Sequence, residues 1–273
     1  MTLEDLLVEH GRAIRVLLFD IDGTLVSFKT HKIPDSTKQT IHEVRRCGGK
    51  VFIATGRPIP FINNLEDLEY DGIMSVNGAC CMLADGTIIS EKKVPTEDIE
   101  RLIADSKQQP MPIVFANKDR AIVTNLETGR DKVEEVMKLL NLSVPEEHPI
   151  EEVRKMNAMQ VIAFFPVEDE PRIMNELMSG CESARWHPAF TDCIAKGTNK
   201  ASGIDAICQY LGVDVAETMA FGDGGNDITM LRHAGIGIAM GNGNDEVKAA
   251  ADFVTDTVDD NGIAKVLNVL TEN

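Results

Sequence analysis

The chain has 273 residues, of which 43% are hydrophobic and 26% are charged, a composition typical of a soluble globular protein with one large or two medium domains. Its formal net charge of −17 argues against a nucleic-acid partner, because phosphate backbones bind basic surfaces. It has no membrane-length apolar run, and its acidic start lacks a basic signal flank, so we expect a cytoplasmic protein without a membrane partner. The cysteines and histidines lack zinc-site spacing, which indicates reduced, mostly buried thiols.

The first strand follows an amphipathic lead-in helix that we predict over the first fifteen or so residues. Residues 16–19 are apolar and β-prone, as in a strand covered on both faces, and Gly23 then breaks the pattern into a turn. Asp20 and Asp22 therefore lie where a buried strand ends. Two carboxylates this close favour a shared proton or a cation between them, although a capped turn with one solvated aspartate fits the same residues.

A second strand ends on another polar cluster. A helix over residues 36–47 leads into an apolar strand over residues 51–54, which ends on Thr55, Gly56 and Arg57. This is the order of a βαβ unit with parallel strands. Taken alone, Thr55 would be an ordinary strand-end cap. The charge of Arg57 would either steer a substrate or pair with an acidic neighbour.

The pattern changes after a short buried strand over residues 73–76 that ends on Asn77. Between residues 85 and 185 the segments no longer alternate as parallel units. Helices are predicted over residues 96–108, 130–140 and 171–179, and strands over residues 113–116, 121–124 and 159–165. Because Asn117 to Arg120 reads as a hairpin loop, this stretch is predicted to be an α+β insert with an antiparallel sheet.

The last part of the chain returns to the parallel pattern near Trp186. Lys200 opens an amphipathic helix, and a third apolar strand over residues 218–221 ends on a cluster that contains Asp223, Asn226 and Asp227. Alone, Lys200 would be a surface lysine and Asp227 a helix cap. Two further short strands are predicted within residues 234–240 and 251–254.

These clusters follow strands whose carboxyl ends lie on one edge of a parallel sheet, so they are expected to meet in one crevice. Together they resemble the motifs of the haloacid dehalogenase (HAD) superfamily of aspartate-dependent phosphotransferases. The matching segments are Asp20-Ile21-Asp22-Gly23-Thr24 for the first motif, Thr55 for the second, Lys200 for the third and Gly222-Asp223-Gly224-Gly225-Asn226-Asp227 for the fourth.

The resemblance implies an α/β fold with a Rossmann-like, parallel-sheet catalytic core. On the predicted pattern, the core comprises residues 1–84 and 186–273. Residues 85–185 form an inserted α+β cap domain with an antiparallel sheet, which would set substrate specificity. The position of this insert between the second and third motifs, and its α/β content, resemble the large C2 cap of the Cof-type subgroup, also called subclass IIB, which contains sugar-phosphate phosphatases.

The family also implies a role for each motif. Asp20 would attack phosphorus and form an aspartyl-phosphate, and Asp22 would protonate the leaving alcohol and later take a proton from water. Thr55 would hold a phosphoryl oxygen, and Lys200 would neutralise the nucleophile and the phosphate.

Mg²⁺ is the metal that the resemblance implies, and it suits carboxylate and phosphate ligands. Its expected ligands are Asp20, Asp223 and the backbone carbonyl of Asp22, with Asp227 either binding the ion or bracing its ligands. Four residues are expected to face the substrate: Gly56, Arg57, Asn77 and Asn226.

The resulting hypothesis is a Mg²⁺-dependent phosphatase for small phosphomonoesters, with hexose and pentose phosphates as the expected class. A sugar phosphomutase or a phosphatase for flavin mononucleotide or pyridoxal phosphate is the alternative. A binding protein with an idle site is disfavoured, because it would be free to lose Asp20, Asp22 or Asp223. Trp186 would either stack on a sugar ring or pack at a hinge. The expected partner is a small phosphorylated metabolite, and the chain would be a monomer or a homodimer.

Overall fold

The computed structural model describes residues 14–271, which fold into two units that are each built on one β-sheet. The lead-in helix predicted for the first fifteen residues falls almost wholly outside this range. The first unit contains the described residues up to Gly56, Ile62–Ser90 and the residues from Asn199 onward. The second unit contains Arg57–Phe61 and Glu91–Thr198. The mixed α/β class expected from the sequence is confirmed.

The sheet of the first unit has eight strands and is mostly parallel. In order across the sheet, the strands are Phe253–Val254, Ile236–Ala239, Thr218–Gly222, Val16–Phe19, Lys50–Ala54, Gly72–Ser75, Cys80–Leu83 and Ile88–Glu91. The first six strands of this order pair in parallel, and Cys80–Leu83 then pairs antiparallel to Gly72–Ser75. Every residue of Val16–Phe19 is buried, as expected for a strand covered on both faces.

Helices of the first unit pack against this sheet. They are Asp35–Arg46, Lys200–Leu211, Ile228–His233, Asp245–Lys248 and Gly262–Thr271. The Lys200–Leu211 helix buries Ile204 and Ile207 against Met74 and its neighbours in the sheet. Asn199 caps the start of this helix through a side-chain bond from the amide of Ser202, which fixes where the helix begins.

The second unit has a six-stranded sheet with helices on both faces. In order across the sheet, the strands are Cys181–His187, Phe190–Ala195, Gln160–Ala163, Ile113–Ala116, Ala121–Thr124 and Glu146–Glu147. The pairs are antiparallel except for the last, which is parallel. The helices are Thr96–Ser106, Arg130–Leu139 and Glu170–Arg172, the last of which continues as a π-helical turn over Ile173–Leu177.

The limits of the inserted unit differ from the predicted residues 85 and 185. Ile88–Glu91 still belongs to the first sheet, whereas Cys181–His187 and Phe190–Ala195 pair within the second. Both predicted limits fell within hairpins. The first hairpin turns at Gly86, whose φ is +89°, and the second turns between His187 and Phe190.

Six cysteines are free; five of them are buried and Cys47 is exposed. Within residues 14–271, no helix combines the length and apolar character needed to cross a lipid bilayer.

Candidate active site

The polar clusters of the first unit converge at the carboxyl edge of its sheet. Phe19 pairs in register with Phe221 on one side and with Ile53 on the other. The chain therefore leaves three neighbouring strands at the same level, which brings Asp20, Thr55 and the loop of Asp223 to one edge. This arrangement matches the convergence expected from the sequence.

Lys200 is the centre of the cluster and is completely buried. Its Nζ atom donates to Oδ1 of Asp20 over 2.6 Å, to Oδ1 of Asp227 over 2.5 Å and to the carbonyl oxygen of Ala54 over 2.7 Å. These bonds account for all three protons of the ammonium group. Burial by itself would lower the pKa of Lys200, but Asp20 and Asp227 outweigh it, and the pKa lies above its usual value.

Asp20, Asp223 and Asp227 form a compact carboxylate group, because each contributes one oxygen to a set whose members lie within 4.8 Å of one another. Burial, with repulsion from Asp227, raises the pKa of Asp20 to about 8, although Lys200 opposes the shift. Burial likewise raises the pKa of Asp223 to about 6. Three carboxylates against one ammonium leave an excess of negative charge that a hard divalent cation would offset, so this donor set fits Mg²⁺.

Asp227 is fully buried and braces the loop before it. Its Oδ2 atom accepts the backbone amides of Asp223 over 3.0 Å and Gly224 over 2.9 Å, while Oδ1 accepts Lys200. The side chain makes no capping bond to the Ile228–His233 helix, so a simple helix-cap role does not describe it.

Two residues that were not predicted hold the Asp223 carboxylate. Thr24 donates its hydroxyl to Oδ1 over 2.7 Å. The amide of Asn242 donates to Oδ2 over 3.1 Å and to the carbonyl oxygen of Gly23 over 2.8 Å. Asn242 follows the strand Ile236–Ala239, which belongs to the same parallel sheet, so the sheet-edge argument applied to that strand would have found it.

The strand ends at Thr55 and Asn77 are joined by backbone hydrogen bonds. Thr55 is 1% exposed, and its carbonyl oxygen accepts the amide of Asn77 over 2.9 Å. The amide of Asn226 donates to Oδ1 of Asn77 over 3.0 Å. A Cβ atom on Gly56 would lie only 3.2 Å from the same oxygen. Gly56, Asn77 and Asn226 are thus neighbours, as expected for residues of one site.

The backbone around Asn77 is strained. Val76, Asn77 and Gly78 have φ angles of +50°, +51° and +98°. A left-handed conformation is unusual for a β-branched residue, and such conformations cluster at functional sites. Buried Val76 therefore marks a segment whose shape is held by its surroundings.

Asp22 and Arg57 are the remaining residues that the sequence predicts for the site. Asp22 is partly exposed, and the amide of Asn64 approaches its Oδ1 atom at 3.5 Å. Arg57 lies in the second unit, where it donates to the carbonyl oxygen of Phe61 over 3.1 Å. Its proposed contact with the substrate stays a prediction.

Comparison with known proteins gives a consistent family signal. The sequence model of the haloacid dehalogenase-like hydrolases matches residues 17–267. YkrA of Bacillus subtilis, which is provisionally named as a phosphatase, is 34% identical over 258 residues, covering 94% of this chain and 97% of its own. The 5-amino-6-(5-phospho-D-ribitylamino)uracil phosphatase YcsE of B. subtilis is 28% identical over 93% of this chain and 94% of its own.

Solved structures agree with this signal. The HAD subclass IIB sugar phosphatase BT4131 is 40% identical with a TM-score of 0.80, over 93% of this chain and 98% of that one. BT1666 of Bacteroides thetaiotaomicron, described among the phosphatases of the same superfamily, is 39% identical with a TM-score of 0.83, over 94% of this chain and 95% of that one.

Proposed function

Because the chain belongs to the haloacid dehalogenase-like hydrolase family, we propose that it is a Mg²⁺-dependent phosphatase for small sugar phosphates that acts through an aspartyl-phosphate. Phosphatase activity itself follows from the family and from its named relatives. The metal, the intermediate and the substrate class are the proposed steps.

The lysine bridge between Asp20 and Asp227 is the observation that carries the proposal. A nucleophilic carboxylate must approach a phosphoryl group that is itself negative. Lys200 places a buried positive charge on Oδ1 of Asp20, which orients this carboxylate and lowers the repulsion. Two buried carboxylates, those of Asp20 and Asp227, thus share this one ammonium group.

The proposed reaction has two displacements. First, a carboxylate oxygen of Asp20 forms a bond to phosphorus, the bond from phosphorus to the ester oxygen breaks, and Asp22 gives a proton to the leaving alcohol. Water then attacks phosphorus, Asp22 takes a proton from it, and the bond from phosphorus to Asp20 breaks, which releases inorganic phosphate. The partial exposure of Asp22 supports its proton-transfer role, because it must reach both the alcohol and the water.

Asp20, Asp223 and the carbonyl of Asp22 are the proposed ligands of Mg²⁺, with Asp227 either binding the ion or bracing its ligands, and the crowding of the three carboxylates supports that assignment. When bound, the ion would neutralise phosphoryl oxygens and the carboxylate group. Thr24 and Asn242 would hold Asp223 in place for it. Thr55, Gly56, Asn77 and Asn226 are proposed to line the phosphoryl and substrate side.

The substrate class and the roles of the units are also proposals. BT4131 is a sugar phosphatase, and YcsE is named for a phosphoribityl substrate, which supports a hydroxyl-bearing leaving group here. We propose that the first unit is catalytic and that the second selects the substrate. A cytoplasmic location agrees with the free cysteines.

The test is phosphate release with Mg²⁺ across hexose and pentose phosphates, nucleotides, flavin mononucleotide and pyridoxal phosphate. We expect sugar phosphates to be hydrolysed best and Asp20→Asn to lose activity while remaining folded by circular dichroism. Retained activity in Asp20→Asn would refute the covalent step. Preference for a cofactor phosphate would refute the sugar class, and transfer of phosphate between sugar hydroxyls without release would indicate a mutase.

A further inference from the structure

The side chain of Asn64 approaches the Asp22 carboxyl group within the first unit. Its Nδ2 atom donates to Oδ1 of Asp22 over 3.5 Å. This bond is longer than a typical hydrogen bond, but bonds in active sites without substrate are often long and shorten when the substrate binds. Asn64 is therefore placed to act on the residue that carries the proposed proton transfers.

The loop of Asp22 has a fixed backbone, which leaves the side chain to be oriented by a neighbour. The amide of Gly23 donates to the carbonyl oxygen of Val26 over 2.9 Å, and the amide of Val26 donates to the carbonyl oxygen of Ile21 over 2.7 Å. These bonds hold the backbone on both sides of Asp22. They do not restrain rotation of its side chain, and proton transfer requires that the carboxyl group be correctly aimed.

The loop of Asn64 is anchored directly after this residue. Leu65 and Leu68 are 7% and 8% exposed, and the amide of Leu68 donates to the carbonyl oxygen of Leu65 over 3.0 Å. The buried leucines fix the turn between them. The position of the Asn64 amide is therefore set by packing within the first unit.

The oxygen of the Asn64 amide is not used to hold the fold. Its Oδ1 atom is buried and has no hydrogen-bond partner among residues 14–271. Asn117 differs, because it braces a turn with hydrogen bonds from both its amide nitrogen and its oxygen. An unpaired buried acceptor costs stability, so a purely structural asparagine is not expected at position 64. Stability given up beside a proton-transfer group is typical of functional positions.

We propose that Asn64 is a positioning residue that orients the Asp22 carboxyl group for proton transfer. This inference rests on the proposed function and adds a residue to it. By donating to Oδ1, Asn64 leaves Oδ2 of Asp22 to carry the proton. This proton passes to the ester oxygen as the bond from phosphorus to that oxygen breaks. Oδ2 then takes a proton from the water whose oxygen bonds to phosphorus, as the bond from phosphorus to Asp20 breaks.

The leaving group distinguishes this role from a structural one. The alcohol of a sugar phosphate needs a proton to leave, whereas 2,4-dinitrophenolate leaves without one. In Asn64→Leu, kcat/KM for the sugar phosphate that is hydrolysed best should fall about tenfold or more, and kcat/KM for 2,4-dinitrophenyl phosphate should stay within about twofold. Equal losses on both substrates, or no loss on either, would overturn the proposal.

The second displacement gives a separate measurement. Water must give a proton to Asp22 whichever group has left, so kcat for 2,4-dinitrophenyl phosphate should fall about tenfold in Asn64→Leu although kcat/KM does not. Rapid mixing should then show an initial burst of about one dinitrophenolate per protein molecule, as the phosphorylated form accumulates. An unchanged kcat would contradict the proposal.

Gln39→Leu is the matched control, because it also replaces an amide by an apolar group, at an exposed position of the Asp35–Arg46 helix. It should leave both substrates unaffected. In urea denaturation, Asn64→Leu should be at least as stable as the unmodified protein, since it removes an unpaired buried acceptor. A loss of stability would indicate a structural role instead. Should Asn64→Leu not fold, Asn64→Asp keeps the shape without the donor and decides the question.

Asp22→Asn separates this inference from the proposed function. It should show the same dependence on the leaving group, and Asn64→Leu added to it should cause little further loss, because both changes act on one group. If Asp22→Asn keeps full activity on sugar phosphates, the proposed function is wrong about Asp22. If Asp22→Asn loses this activity and Asn64→Leu does not, only the role of Asn64 fails.

Discussion

The side-chain amide of Asn242 donates to the Asp223 carboxylate over 3.1 Å and so ties together two loops that follow neighbouring strands. The same side chain accepts the backbone amide of Val258 over 3.0 Å. Asn242→Ala removes both of these bonds and the bond to the carbonyl oxygen of Gly23, and we expect the Mg²⁺ concentration for half-maximal activity to rise roughly 10–100-fold. Steady-state rates over a range of Mg²⁺ concentrations measure this shift.

The matched control for Asn242→Ala is Asn117→Ala in the second unit. Asn117 also braces a turn. Its side-chain amide donates to the carbonyl oxygen of Met156, and its side-chain oxygen accepts the backbone amides of Asp119 and Arg120. We expect this variant to lose a similar amount of stability without any change in Mg²⁺ dependence. If the Mg²⁺ dependence of Asn242→Ala is unchanged, Asn242 does not position the Asp223 carboxylate for the ion.

Gly23 lies against the same carboxylate, because a Cβ atom at this position would lie 2.2 Å from Oδ2 of Asp223. Gly23 also has a φ of +88°, so Gly23→Ala combines backbone strain with displacement of Asp223. We expect its kcat to fall at least about 100-fold, as measured with any accepted substrate.

Gly86→Ala is the control that separates the effect of backbone strain from the effect of the steric clash with Asp223. Gly86 has a nearly identical φ of +89°, but a Cβ atom there would meet nothing within 4 Å. Both variants should lose about 1 kcal/mol of stability from the backbone, and only Gly23→Ala should lose activity. Equal activities in the two variants would show that the position of Asp223 is unimportant.

Lys200 neutralises buried carboxylates, so Lys200→Met should leave Asp20 and Asp227 without a counter-ion. In chelator at pH 8 we expect a loss of about 3–5 kcal/mol in the free energy of unfolding. The folded-state pKa of Asp20 is already raised above its unfolded value and rises further without the lysine. A raised carboxyl pKa costs stability as pH rises, so the loss in Lys200→Met should shrink between pH 8 and pH 5.

Lys38→Met is the control for this variant, because Lys38 also bridges two carboxylates, those of Glu66 and Asp67, but at the surface. Urea denaturation of both variants measures the loss in the free energy of unfolding. For Lys38→Met this loss should be less than about 1 kcal/mol and should depend little on pH. The prediction fails if Lys200→Met loses as little free energy of unfolding as Lys38→Met, or if its loss grows as pH falls.

Metal binding should release protons. With pKa values of about 8 for Asp20 and about 6 for Asp223, the metal-free site is partly protonated at pH 7. A bound cation requires the ionised forms, so we expect release of about one proton per Mg²⁺ and tighter binding as pH rises from 6 to 8. Calorimetry in two buffers of different ionisation enthalpy counts these protons. Identical heats in both buffers would contradict the prediction.

The central strands and their polar ends could be predicted from the sequence because strand periodicity and the sheet-edge rule are local and general. The hairpin of Ile113–Ala116 and Ala121–Thr124 was predicted for the same reason. Cys181–His187 was missed because it is an edge strand with exposed Glu182 and Ser183, which weakens its apolar pattern.

The partners of the site residues were harder to predict than their positions. Asn242 contacts Gly23 across 219 residues of sequence, and its glycine-rich surroundings read as an ordinary loop. Lys200 could be placed at the start of a helix, but its bond to the Ala54 carbonyl depends on how that helix packs on the sheet. Such long-range contacts have no local signal in one sequence.

The parallel order of the first sheet also sets the order in which the chain can fold. During synthesis, Val16–Phe19 can pair with Lys50–Ala54 early. Its other edge pairs with Thr218–Gly222 and stays unpaired until that strand has left the ribosome. Closing so long a loop is slow, and an open apolar strand edge invites pairing with another chain. A nascent chain that stops before residue 218 therefore keeps this fully buried strand half unpaired.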